Sequence, residues 1–304
     1  MSDETETLVR TSDPPRLRLG QRLRELFGHR EVLANLIRKE TKVKYKSSVL
    51  GVAWSMLNPV LYLVVFYVVF TFFLTSGIAN FVVYLLAGIV PWTLFATGLQ
   101  GATGSVVANG PLVTKVAFPR EILPLSAIGA ALVNFGYQSL VLVGALLVFT
   151  YPFFGPALVL VPLALVVLLL FLAALGLATS AFNVRYRDTH HLVDLALLAW
   201  FWVTPIVYQG ARLVAENLGD RAAQLYLLNP MANVVLAFQR ALYGGTSRVA
   251  LYGDPARGIE PVLPDPGIAW YAGRLTVLGL VSALLLYLTW RTFYRMSGDF
   301  AEEL

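Results

Sequence analysis

Polar and apolar positions segregate along this chain in long blocks. Between Ser47 and Thr114 there is no Asp, Glu, Lys, Arg or His, and between Ile122 and Val184 there is again none. Uncharged runs of that length are what a hydrocarbon environment demands. A membrane span needs about 20 predominantly apolar residues. Six segments qualify: 49–74, 80–104, 122–150, 157–183, 192–209 and 269–290. The third and fourth are long enough to tilt, and the fifth is the shortest. Upstream, Leu19, Leu23, Leu26, Phe27, Leu33, Leu36 and Ile37 recur at helical spacing among Arg and Lys. Residues 17–46 therefore predict an amphipathic helix on the cytoplasmic leaflet, with Gly28 a point where it breaks in two. Residues 1–16 read as a flexible cytosolic tail, and 17–304 as a single transmembrane domain.

The long loop 210–268 carries one more helical signal. Asn229 suits an N-cap, Pro230 the first helical position, and Gly244-Gly245 the end. The stretch between is about 20 Å long as a helix, too short to cross. It is expected to dip into the outer leaflet or lie along it. The fold class is thus an all-α integral membrane protein with six spans, an N-terminal interface helix and a re-entrant outer helix.

Charge adds orientation. Residues 1–48 hold eleven Lys and Arg. With Lys115, Arg120, Arg185, Arg187, Arg291 and Arg295, seventeen basic residues fall on one side. The other side holds five, all in 210–268, offset there by five acids. Both termini are therefore expected in the cytoplasm. The net charge of +5 does not point to nucleic acid, because the basic residues crowd the ends of apolar segments. Composition agrees with membrane burial: 57% of the 304 residues are hydrophobic, 13% are charged, and mean hydropathy is +0.68. The chain has no cysteine, which removes disulfides, thiolate metal sites and a catalytic thiol.

Several residue groups carry candidate chemistry. In loop 109–121, Pro111 opens a short helix that Pro119 must end, with Leu112, Lys115, Phe118, Arg120 and Glu121 available to a partner. An ordinary cytoplasmic turn that fixes topology fits the residues equally well. Arg185, Arg187 and Asp188 suit a cytoplasmic gate, a lipid-phosphate contact, or a topology anchor with Asp188 capping the next helix. Tyr62, Phe66, Phe70 and Phe73 in the first span, and Trp200, Phe201 and Tyr208 in the fifth, suit a sugar path, although packing and interfacial belts use the same rings. Asn58-Pro59 and Thr204-Pro205 predict kinks within spans. No constellation of ionisable groups is expected within the spans, and no metal site. His190 and His191 are adjacent and diverge on a helix.

Five segments resemble a known family. Residues 36–60 read LIRKETKVKYKSSVLGVAWSMLNPV, 112–126 LVTKVAFPREILPLS, 184–190 VRYRDTH, 201–208 FWVTPIVY and 228–231 LNPM. Together they resemble the ABC-2 type permeases that export O-antigen, teichoic acid, capsule and related polysaccharides. The resemblance implies a homodimer bound to two copies of a separate nucleotide-binding ATPase in a bacterial inner membrane. It also implies a polyprenyl-diphosphate-linked glycan as cargo, of O-antigen, teichoic acid or galactan type. It favours loop 109–121 as the contact for the motor, and Asn229, Pro230 and Met231 as the start of an outer gate. No G-x-x-x-x-G-K-[ST] loop occurs, so no cofactor is expected in this chain; ATP and Mg would belong to the partner. Two alternatives remain at this point. One is an ABC-2 exporter of a drug or lipid. The other is a membrane glycosyl- or acyltransferase using Asp188, His190 and His191.

Overall fold

A computed structural model describes residues 19–45, 54, 57, 60, 61, 64, 65, 68, 69, 78, 80–148, 155–244, 251, 261–264 and 267–304. Among these, regular structure is helical throughout. The helices are α1 (Leu19–Gly28), α2 (Arg30–Tyr45), α3 (Phe81–Ala108), α4 (Gly110–Lys115), α5 (Ile122–Val148), α6 (Leu160–Arg185), α7 (Thr189–Val203), α8 (Gly210–Leu218), α9 (Asp220–Tyr226), α10 (Pro230–Leu242), α11 (Ile268–Met296) and α12 (Phe300–Glu303). A 3-10 turn, Pro156–Val159, leads into α6.

Among the described residues four helices are long and apolar enough to cross a bilayer: α3, α5, α6 with its leading turn, and α11. They occupy the second, third, fourth and sixth expected spans. Of the first, Trp54, Leu57, Val60, Leu61, Val64, Val65 and Val68 are helical. Asn58-Pro59 and the aromatic set Tyr62, Phe66, Phe70 and Phe73 lie outside the described residues.

Helix α3 is the hub of the core. It is buried over most of its length, against α5, α6, α7 and α10. Small residues let these helices approach closely, as expected where lipid offers no hydrophobic drive for association. A Cβ on Gly98 would lie 2.7 Å from Leu172 on α6 and 3.5 Å from Ala131 on α5. One on Gly176 would lie 2.9 Å from Ala102.

The fifth expected span, 192–209, is not one helix. Helix α7 starts three residues earlier and stops at Val203, after 15 residues and about 22 Å. Pro205 is the reason. The residue before proline is pushed out of the α region, and Thr204 is extended at φ −102°, ψ 137°. The hydroxyl of Thr204 donates back to the Trp200 carbonyl at 2.8 Å. The Pro205 carbonyl beyond the break accepts the Gln239 amide of α10 at 2.9 Å. The Tyr208 carbonyl accepts the Tyr84 hydroxyl at 2.9 Å. Irregular backbone is thus supplied with partners from inside the protein, as a membrane interior requires.

Those partners explain where α10 sits. It does not lie along a surface: every residue from Met231 to Leu242 is buried, walled in by α3, α6 and α11. Phe238 meets Phe135 of α5 edge to face, at 6.2 Å between centroids.

The N-terminal amphipathic segment does break after Gly28, with a turn at His29. Its apolar stripe faces protein only in part: Leu36 is buried and α2 packs along α5, while Leu23 and Phe27 of α1 are exposed. Ile37 fits against Gly129, where a Cβ would lie 2.5 Å from its Cδ1 and 2.8 Å from its Cγ1. The Lys39 ammonium donates to the Asn109 side-chain oxygen at 2.8 Å, tying α2 to the end of α3. Gly129→Ala should therefore lift α2 from α5. The expected cost is about 1–3 kcal/mol, seen as a lower unfolding midpoint in detergent and faster proteolysis of residues 19–45.

Candidate functional site

Three places gather the chemistry-bearing residues, and the first is a junction around loop 109–121. Gly110-Pro111 starts α4, which ends at Lys115, four residues before Pro119. Val116 extends the chain at φ −127°, ψ 131°. Lys115 and Val116 are exposed and form the crest. Leu112 and Phe118 are half-buried on the chain's own apolar cluster, and Pro119 is buried. The crest residue Val116 had no signal in the sequence beyond its place between Lys115 and Phe118.

Glu121 is wholly buried. Its carboxylate takes Arg22 Nε at 2.9 Å and Arg22 Nη2 at 3.0 Å, the paired geometry that suits a guanidinium. The Trp290 indole N–H of α11 donates to the same group at 3.1 Å. Arg22 also lies over the Tyr294 ring at 4.8 Å. Burial works against the Arg22 charge, but Glu121 and Glu25 outweigh it and raise its pKa above the ordinary value. Arg120 next door is half-buried, and there burial prevails over the nearby Glu121, lowering its pKa. Glu121 is thus an internal fastener joining α1, α5 and α11, while Arg120 stays closer to the surface.

Arg185, the last residue of α6, and Arg187 and Asp188 just beyond it are all exposed. Arg185 Nε is 4.0 Å from a Glu303 oxygen on α12. Arg187 and Lys115 line one cavity of about 470 Å³ with Pro111, Thr114 and Leu304. Asp188 holds the N-cap position of α7 but makes no side-chain cap bond. Asn183 supplies it instead, its side-chain oxygen accepting the His190 N–H at 3.2 Å. The His190 and His191 rings stand 6.2 Å apart at 73°.

The second place is a groove of about 490 Å³ between α3 and α7. Trp92, Phe201 and Trp202 form its aromatic wall, with Trp92 and Phe201 edge to face at 5.6 Å. Thr97, Gln100 and Asp194 supply its polar side, and Gln100 donates to Asp194 Oδ1 at 2.9 Å. Asp194 lies inside the expected fifth span, so the spans are not free of ionisable groups. It sits in the second turn of α7, with its side chain 42% exposed, and makes the groove's charged edge. Of the expected channel rings, Phe201 lines this groove. Trp200 turns inward, packed on Phe95 at 5.2 Å and Phe171 at 6.1 Å. Tyr208 is half-buried near the helix break, its hydroxyl donating to the Trp202 carbonyl at 2.5 Å. Helical spacing put Trp200 and Tyr208 on one face, but the break at Thr204-Pro205 ends that face between them.

The third place is the start of α10. Asn229 is its N-cap, accepting the Met231 N–H at 3.0 Å, and Pro230 follows in the first turn. The same side chain accepts the Trp200 indole N–H at 2.8 Å and donates to the Val203 carbonyl at 3.2 Å. It therefore joins the broken end of α7 to the beginning of α10. Arg274 of α11 completes the outer assembly. It donates to Asn233 Oδ1 at 2.7 Å and to the Leu227 carbonyl at 2.6 Å, and lies over the Trp270 ring at 4.9 Å.

The described residues thus form an all-helical domain with membrane-length apolar helices, an exposed crest on loop 109–121, a polar-aromatic groove and a buried short helix. The chain belongs to the ABC-2 type transporter family, whose model matches residues 31–243. It is similar to the O-antigen export system permease protein RfbA of Myxococcus xanthus, at 32% identity over 93% of this chain and 98% of that protein. Two proteins of the same description from Klebsiella pneumoniae are 29% and 28% identical, over 71% and 75% of this chain.

The buried fastener gives a direct prediction. Arg22→Ala strands the Glu121 carboxylate and should cost about 3–5 kcal/mol. The unfolding midpoint should fall accordingly, and Arg22→Lys should recover only part of it, because an ammonium does not reproduce the paired contact.

Proposed function

We propose that this chain is the membrane-spanning subunit of an ATP-driven exporter carrying an O-antigen-type polysaccharide on a polyprenyl-diphosphate lipid. It spans a bacterial inner membrane six times with both termini in the cytoplasm. Two copies act with two copies of a separate ATPase, which binds the ATP and Mg. The observation that carries this reading is the end-to-end similarity to an O-antigen export permease. The groove supports it chemically. Aromatic faces suit the C–H surfaces of sugars, and threonine, amide and carboxylate groups suit their hydroxyls. Weak repeated contacts of this kind let a polymer slide.

The motor works on the exposed crest of α4. Helix α4 is short and fixed at its root, with Val113 buried in the core, so a push on it reaches α3 and α5 directly. The α10 element, held to α7 by Asn229 and to α11 by Arg274, is the outer gate.

Purification of the tagged chain from native membranes in mild detergent should recover an equimolar ATPase. Recovery with sugar-transfer enzymes and no ATPase would overturn the reading. Deletion of the chain should abolish surface glycan and leave lipid-linked polymer inside. Lys115→Glu combined with Val116→Asp, both at exposed positions, should lower ATPase recovery and export together while insertion and the unfolding midpoint hold.

A further inference from the structure

We propose that the groove between α3 and α7 passes uncharged glycan and rejects polyanionic glycan, with Asp194 setting that preference. This rests on the export reading above and names the class of polymer it carries.

The charge inventory is unusually simple. Residues 47–114 and 122–184 hold no ionisable acid or base of the Asp, Glu, Lys, Arg or His types, so the first four expected spans bring no such charge to any path through the protein. The remaining two bring one each, Asp194 in the fifth and Arg274 in the sixth, and the buried α10 adds Arg240, which is not among the residues lining the groove. Arg274 is engaged by Asn233 and Leu227 near the start of α11, the end opposite Trp290 and the cytoplasmic junction. Asp194 is different. Its side chain is 42% exposed and lines the groove, where the described residues include no Lys or Arg. Gln100 donates to Oδ1 and fixes the carboxylate there. Oδ2 is 4.0 Å from His190 Nε2 at the cytoplasmic lip, an ion pair whenever that imidazole carries a proton.

A carboxylate fixed at the half-exposed edge of an apolar groove attracts hydroxyl donors and repels anions somewhat more strongly than it would in bulk water. Acidic rings select by sign in channels for the same reason. In a dimer the charge doubles. The lipid-linked phosphates pass it once per chain. A polymer with phosphate or carboxylate in each repeat meets it at every step. The aromatic wall of Trp92, Phe201 and Trp202 offers such a polymer no compensating cation.

The test uses cells lacking their own exporter, expressing the chain with its cognate ATPase. The cells make either a polyprenyl-linked neutral galactan or polyprenyl-linked poly(glycerol phosphate), and surface polymer is measured. The wild type should favour the neutral polymer by about tenfold or more, as expected for one charge contact between bulk water and a protein wall. Asp194→Asn should reduce that ratio by about tenfold. Gln100→Lys, which leaves Asp194 in place and adds a neutralising charge beside it, should act in the same direction. Equal export of both polymers by the wild type, or an unchanged ratio in both variants, overturns the inference alone. Export of neither overturns the export reading beneath it.

Discussion

The break in α7 at Thr204-Pro205 is the constraint around which the membrane domain is arranged. In hydrocarbon no water stands by to take a freed carbonyl, so a helix stopped part-way needs partners from neighbouring helices. Here they come from two directions. Tyr84 reaches over from α3, and Gln239 reaches across from α10. Asn229 then closes the gap between the end of α7 and the start of α10. Helix α10 is buried because the broken backbone requires it there. The same break divides the aromatic residues, sending Trp200 into the core while Phe201 and Trp202 face the groove.

On the opposite side, order comes from charge. The N-terminal helices carry basic residues that topology alone would explain, yet two of them are committed to specific partners. Lys39 holds Asn109 where α3 hands over to α4, and Arg22 holds Glu121 where the loop hands over to α5. The short helix α4 is therefore pinned at both of its flanks, and only its crest is free to meet another protein. That combination, rigid at the root and exposed at the tip, is what a transmitting element needs.

Much of this was legible in the sequence. The uncharged runs located α3, α5 and α6, and the apolar stretch 269–290 located most of α11, because length and apolarity are what a bilayer selects. The N-cap Asn229 and first-turn Pro230 were readable for the same local reason, as was the break at Gly28. What escaped were facts about partners distant in the chain. Glu121 looked like a surface charge beside Arg120, and only the fold brings Arg22 and Trp290 to it. Asp188 looked like the cap of α7, and Asn183 makes that bond. Asp194 was hidden by its apolar neighbours, since its importance depends on Gln100 of another helix and on the groove they share. The fifth span was drawn too long because hydropathy continues past Pro205 while the helix does not.

The three members of the Glu121 junction are made at very different times. Arg22 precedes Glu121 by 99 residues, and Trp290 follows it by 169. At ordinary rates of synthesis the indole emerges about ten to thirty seconds after the carboxylate. During that interval the Glu121 carboxylate has Arg22 available, but its pocket lacks the wall that α11 supplies. The junction is therefore complete only once α11 has been made and its indole reaches the carboxylate that Arg22 already pairs with. A chain stalled or truncated before α11 would leave the Glu121 carboxylate without its indole donor and one side of its pocket open.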